Sequence, residues 1–161
     1  IAILVEYFRI KGKLNRSHFF RLRSYEEKRP ASYIYFGIAI LILLLFFPQQ
    51  IAIPCILCAC FSDPTIGELR DRFGKKNAYI FGFFVCMFFF VVTWYEAEIW
   101  IVFSVSIIGG VGALFGEMKK FWFIDDDFMI QILPAILILI LWQVLKLINL
   151  DILPSKLIIS I

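Results

Sequence analysis

The chain has 161 residues, of which 61% are hydrophobic and 18% charged, and its formal net charge is +3. Soluble domains are about 45–50% apolar; with 19 Phe and a mean hydropathy of +0.87, the surplus here is too large for an aqueous core to hide. Composition therefore excludes a soluble globular domain and makes lipid the solvent for much of the surface.

Six apolar segments follow in chain order. The first, Ile1 to Phe8, reads as the tail of a longer helix, since the chain starts at Ile1 without an initiator Met. The second runs from about Ser32 to Phe47 and is stopped by Pro48. The third, Ile51 to Phe61, falls short of the roughly 17–25 residues a straight spanning helix needs and must draw on its polar end to cross. The fourth is about Ala78 to Tyr95, the fifth about Ile99 to Phe115, and the sixth about Ile130 to Leu150. A weak tail, Ile152 to Ile161, is too short to span. The expected fold is all-α: a polytopic transmembrane helical bundle of about six membrane segments, one domain over residues 1–161.

Six crossings place the loops at 9–31, 62–77 and 117–129 on one side. Those loops hold every Lys and Arg except Lys146 and Lys156, whereas the opposite turns hold Glu96 and Glu98 and no base. Positive charge in short loops marks the cytoplasmic side, so the three long loops are expected to face the cytoplasm. Topology then accounts for the basic residues, and nucleic-acid binding is not expected. The 9–31 loop reads as an amphipathic surface element anchored by Phe19, Phe20 and Leu22. Its His18, the sole histidine, reads as a surface residue. Trp94, Tyr95 and Trp100 fit an interfacial aromatic belt. Cys55, Cys58, Cys60 and Cys86 lie in apolar segments, where cysteine behaves as a small hydrophobe; a metal-thiolate alternative lacks a His or second Cys pair.

The chemistry-bearing residues gather on the basic side. Asp63 ends the third segment, where a carboxylate is costly unless paired or metal-bound, and it is placed to cap a helix that opens at Pro64. On that helix Gly67, Arg70 and Gly74 share a face, Glu68 is spaced to pair with Arg72, and Arg70, Arg72, Lys75 and Lys76 suit phosphate oxygens. The bland alternative is a positive loop touching lipid headgroups. Further on, Glu117 and the run Asp125-Asp126-Asp127 face the same compartment. Together with Asp63 and Glu68 they are candidate ligands for a hard divalent cation, which takes one or two carboxylates plus substrate phosphates. The alternative for the aspartates is a helix N-terminus stabilised by the helix dipole. There is no Walker A stretch, dinucleotide fingerprint or Ser/His/Asp set.

The order of these features resembles the CTP-dependent lipid kinase family that includes dolichol kinase, phytol kinase and CTP-using diacylglycerol kinase. The matching residues are Glu6-Tyr7-Phe8-Arg9, Leu14-Asn15, Glu26 or Glu27, Arg29 and Tyr33 to Gly37; then Asp63 through Gly74; then Glu117 with Ile124-Asp125-Asp126-Asp127. The resemblance covers most of residues 4 to 142. It implies transfer of a phosphoryl group from CTP to a membrane lipid alcohol, with Mg²⁺ as cofactor. It also implies that Asp63, Glu117 and Asp126 share metal binding and proton acceptance, and that Arg70, Arg72, Lys75 and Lys76 hold the triphosphate beside Gly67 and Gly74, with Arg9 and Arg29 closing the site. Where the family carries Lys-Ser and then Glu-Gly-Ser, this chain has Asn77 to Phe83, and Asp127 stands where the last motif usually ends in Asn. Two alternatives stay open: a CTP-using lipid-phosphate cytidylyltransferase, and a non-catalytic membrane scaffold or transporter that retains the fold.

Overall fold

The computed structural model of the chain describes residues 2–12, 29–118 and 124–154. Outside them lie Lys13 to Lys28, with His18, the Phe19/Phe20/Leu22 anchor, Leu14-Asn15 and Glu26/Glu27, as well as Lys119, Lys120 and the tail beyond Pro154. The described residues form five helices: α1 (Ala2–Ile10), α2 (Ser32–Phe46), α3 (Gln49–Thr93), α4 (Ile99–Met118) and α5 (Asp126–Leu147). The all-helical membrane architecture holds. The six separate spans do not: three helices, α3, α4 and α5, are long and apolar enough to cross a bilayer. α1 has nine residues. α2, with 15, rises about 22 Å at 1.5 Å per residue, less than the ~30 Å hydrocarbon core.

The third and fourth expected segments belong to one element. α3 runs 45 residues with a single non-helical residue inside it, Gly74, at φ 79° and ψ 160°. That conformation is essentially restricted to glycine, and it folds the helix back on itself. The indole N–H of Trp94 donates to the Gln50 carbonyl at 2.8 Å, the Cys58 thiol to the Cys86 carbonyl at 3.6 Å, and the Ser62 hydroxyl to the Gly82 carbonyl at 3.3 Å. Later positions on the first leg thus meet earlier positions on the second, so α3 is an antiparallel helical hairpin with Gly74 at its tip. Asp63 and Pro64 accordingly lie inside the first leg and do not cap a new helix. Gly74 marks the break itself and does not share a helical face with Gly67 and Arg70.

Two prolines sit inside the first leg, Pro54 and Pro64. An interior proline lacks the N–H that would bond the carbonyl four residues back. Pro54 frees the Gln50 carbonyl, and the Trp94 indole fills it. Trp94 is fully buried, so it belongs to the packed interior and not to the aromatic belt. Trp100 and Tyr95 are exposed and bond Glu98 and Glu96. Cys55, Cys58 and Cys86 are buried and reduced, packed among the core side chains.

α4 lies between α3 and α5 and packs on both. Its glycines set the spacing. A Cβ at Gly112 would stand 2.9 Å from the Pro134 Cα, and one at Gly116 would stand 2.6 Å from the Met129 carbonyl. Small residues at these positions let two backbones approach without a hydrophobic driving force, as packing within lipid requires. α2 leans on α5. Gln131, fully buried on α5, donates to the Asp127 and Phe36 carbonyls.

Candidate functional site: a carboxylate cluster at the charged end of the bundle

The close contact at Gly116 brings the last turn of α4 against the first turn of α5. Glu117 follows Gly116 and is therefore turned into the bundle, where it is 7% exposed. Asp63 and Arg70 from α3, and Asp126 and Asp127 from α5, lie within electrostatic range of its carboxylate. Tyr79, on the second leg of α3, is within range of Glu117, Arg70 and Asp126. Glu117 Oε2 is buried without a hydrogen-bond partner among the described residues. Such a group loses its hydration with nothing in exchange, at a cost of about 1–3 kcal/mol, more for a charged group.

Asp125 sits at the N-cap of α5 with extended backbone (φ −74°, ψ 150°), and its Oδ1 accepts the Asp126 N–H at 3.0 Å. Its Oδ2 is also buried and has no hydrogen-bond partner among the described residues. Burial first, then the neighbouring Asp126, push the Asp125 carboxyl up to about 6 against the opposing pull of Ser32 and Arg29. Asp125 therefore occupies the helix terminus expected of the aspartates, but burial and Asp126 outweigh any favour the helix dipole gives its charge; Asp126 also belongs to the Glu117 cluster.

A second polar node closes the same end. Glu6 and Arg9 are both buried. Arg9 donates Nε–H to Glu6 Oε2 at 2.8 Å and Nη2–H to the Arg29 carbonyl at 2.8 Å. The Ala31 N–H and the Tyr33 hydroxyl both donate to Glu6, at 2.6 and 2.5 Å. Burial alone would raise the Glu6 carboxyl; the donors from Arg9, Tyr33 and Ala31 override it and hold Glu6 at about 2. Arg9 is thus engaged in tying α1 to the start of α2. Arg29 acts electrostatically on Asp125.

The remaining expected site residues divide. Glu68 and Arg72 pair with each other in the open, their side chains 66% and 68% exposed, and Gly67 has open space around it. Lys75 and Lys76 flank the hairpin tip. With Tyr79, Ile80, Leu114 and Met118 they line a groove of about 500 Å³ between the second leg of α3 and the end of α4. The six expected metal ligands do not converge on one point: among the described residues no group of three or more His, Cys, Asp or Glu is placed to hold a metal ion. Sequence reasoning missed Tyr79, whose signal was its position one turn after Lys75, and the glycines of α4, whose spacing (Gly109, Gly110, Gly112, Gly116) is that of a close helix crossing.

No protein-family model matches the chain, and neither the curated proteins nor the solved structures contain a match. The functional reading rests on the site and on the motif resemblance.

Proposed function

We propose that the chain is a membrane enzyme that transfers a phosphoryl group from a nucleotide to a lipid alcohol at the bilayer surface. The supporting observation is Glu117: a carboxylate nine-tenths buried, with an unpartnered oxygen, set among Asp63, Asp126 and Arg70 at the end of the bundle. A buried carboxylate kept at that cost among other ionisable groups is suited to proton transfer. In this reading Glu117 takes the proton of the lipid hydroxyl. The hydroxyl oxygen forms a bond to the terminal phosphorus of the nucleotide, the bond from that phosphorus to the bridging oxygen breaks, and the nucleoside diphosphate leaves. Arg70 offsets charge on the transferred group, and positioning does most of the rest.

CTP as donor and Mg²⁺ as cofactor come from the resemblance. A Mg²⁺ site of the kind completed by substrate phosphates needs one or two carboxylates, and Asp63 and Asp126, both within electrostatic range of Glu117, would supply them while Glu117 is kept for the proton. The ion would neutralise phosphate charge. The basic end faces the cytosol in this reading, by the distribution of Lys and Arg.

The test is binding of CTP against ATP to the purified protein in detergent, with and without Mg²⁺, followed by product analysis with a polyprenol or diacylglycerol. Selective, Mg²⁺-dependent CTP binding with release of CDP, abolished in Asp63→Asn or Glu117→Gln, supports the reading. Pyrophosphate release would indicate nucleotidyl transfer instead. A non-catalytic scaffold is favoured by one observation, that among the described residues the carboxylates form no group of three, and folded protein that binds no nucleotide would make it the better reading.

A further inference from the structure

The basic cluster at the hairpin tip is divided. Arg70 lies on the first leg, within electrostatic range of Glu117 and Tyr79. Arg72 is committed to Glu68. Lys75 and Lys76 follow Gly74, and the reversal at that residue turns them onto the second leg, where they rim the groove. Lys75 Nζ lies 5.8 Å from the centroid of the Tyr79 ring, so its stem runs along the groove wall. Below the lysines the walls are Ile80, Leu114 and Met118, with no polar group beyond Tyr79 among the described residues. A volume of about 500 Å³ falls in the usual range for one small ligand, roughly 300–1,000 Å³. It suits one hydrocarbon chain and not a whole two-chain lipid.

We infer that this groove binds a phosphate-bearing membrane lipid, with one chain along Ile80, Leu114 and Met118 and the phosphate between Lys75 and Lys76. The occupant is chosen by charge and position. Two ammonium groups stand at one end of an apolar trough on a lipid-facing surface, and a neutral lipid would leave both without a counter-ion. Basic residues at a membrane surface each favour anionic headgroups, and long Lys stems cover apolar wall while the charge stays at the interface. Phe73 and Phe81, on either side of the lysines in the chain, are both exposed. The inference does not rest on phosphoryl transfer. A lipid-phosphate site serves a kinase as the place its product rests, and a scaffold as an anchor.

Native mass spectrometry of the full chain in dodecyl maltoside tests it, with dioleoyl phosphatidic acid titrated against dioleoyl phosphatidylcholine and against inorganic phosphate. The expected result is about tenfold preference for phosphatidic acid over phosphatidylcholine at low salt, with no displacement by equimolar inorganic phosphate. The preference should fall to about unity in Lys75→Gln/Lys76→Gln and persist in Lys146→Gln, whose cation lies at the other end of the bundle. Leu114→Trp, which fills the groove and leaves both lysines, should weaken phosphatidic acid by a similar factor. Equal binding of both lipids, displacement by free phosphate, or an unchanged preference in Leu114→Trp protein of wild-type melting temperature would each overturn the inference; the last would reduce the lysines to general surface charge.

Discussion

Glu6 carries more of the fold than its exposed-looking sequence position suggests. Three side-chain and backbone donors converge on one buried carboxylate, and a charge-assisted hydrogen bond is worth roughly twice a neutral one. Because Glu6 is held at about 2 against an ordinary 4.5, its stabilisation is complete above pH ~4.5 and is lost as pH falls toward ~2. The linkage is on the order of 3 kcal/mol. Asp125 has the opposite sign. Raised to about 6 from 3.8, it favours the folded state while protonated, and that contribution declines as pH rises from ~4 through ~6. Thermal melting in detergent should therefore show a maximum near pH 4.5. Glu6→Gln should flatten the acid limb, and Asp125→Asn should flatten the limb above it. Glu117 makes a different prediction. Its unpartnered oxygen is a stability cost, so Glu117→Gln should raise the melting temperature while lowering turnover by about 10²–10⁴-fold. A variant that loses both would mark Glu117 as structural.

Among elements, the α3 hairpin depends on one backbone conformation. Gly74 has open space where a Cβ would go, so packing alone would tolerate alanine there. The backbone would not: φ 79° with ψ 160° lies in a region closed to side chains, and Gly74→Ala should cost about 1–3 kcal/mol. Gly67 has equally open surroundings but sits in regular helix, and Gly67→Ala should gain about 0.5–1 kcal/mol. The opposite signs, read as shifts in melting temperature, separate a conformational requirement from a space requirement. Gly116→Ala tests the space requirement. Its Cβ would meet the Met129–Ile130 backbone, which cannot rotate away, so the α4–α5 contact should open at a cost of about 1–3 kcal/mol and take Glu117 out of reach of Asp126. The sequence made the apolar runs plain, and α2 ends where the run before Pro48 predicts, with Phe47 in the extended form a residue before proline adopts. It bracketed the reversal of α3 within 62–77 but put a helix start in the wrong place. Asp63-Pro64 reads as a helix start because capping and proline signals coincide there, yet the packing of Ser62 and Ile66 against Gly82 keeps the helix going for ten more residues, to the one glycine that can turn it.

For the whole molecule, the two ends of the bundle differ in kind. One gathers Glu6, Arg9, Arg29, Arg70, Glu117 and the aspartates of α5; the other holds Trp94, the Glu96–Glu98 turn and the segment after α5. Substituted cysteines should show this directly in a Cys60→Ala background. If the basic end faces the cytosol, Lys76→Cys should react with a membrane-impermeant maleimide from the cytosolic side alone, and Glu98→Cys from the other side alone; labelling of both from one side would contradict the arrangement. The grouping of Asp63, Glu117 and Asp126 was legible because all three stand at segment ends of the same parity, and parity is a property of sequence. The place of Glu68, Lys75 and Lys76 was not. Which way a residue turns near a hairpin tip depends on the φ of Gly74 and on which leg packs against α4, and neither is written in hydropathy.

The end opposite the carboxylate cluster also has a stopper. The chain after α5 folds back so that Ile152 is 2% exposed, Gln50 Nε2 donates to the Pro154 carbonyl at 3.3 Å, and Asp151 accepts from the Trp142 indole and the Leu153 N–H. With Trp94 buried beneath it, that end is covered by packed chain among the described residues. Isotope exchange should consequently run as a front, reaching the amides around Glu117 and Asp126 first and those near Val105 and Ile138 last. Unseating the stopper with Ile152→Ser should start a second front from the opposite end.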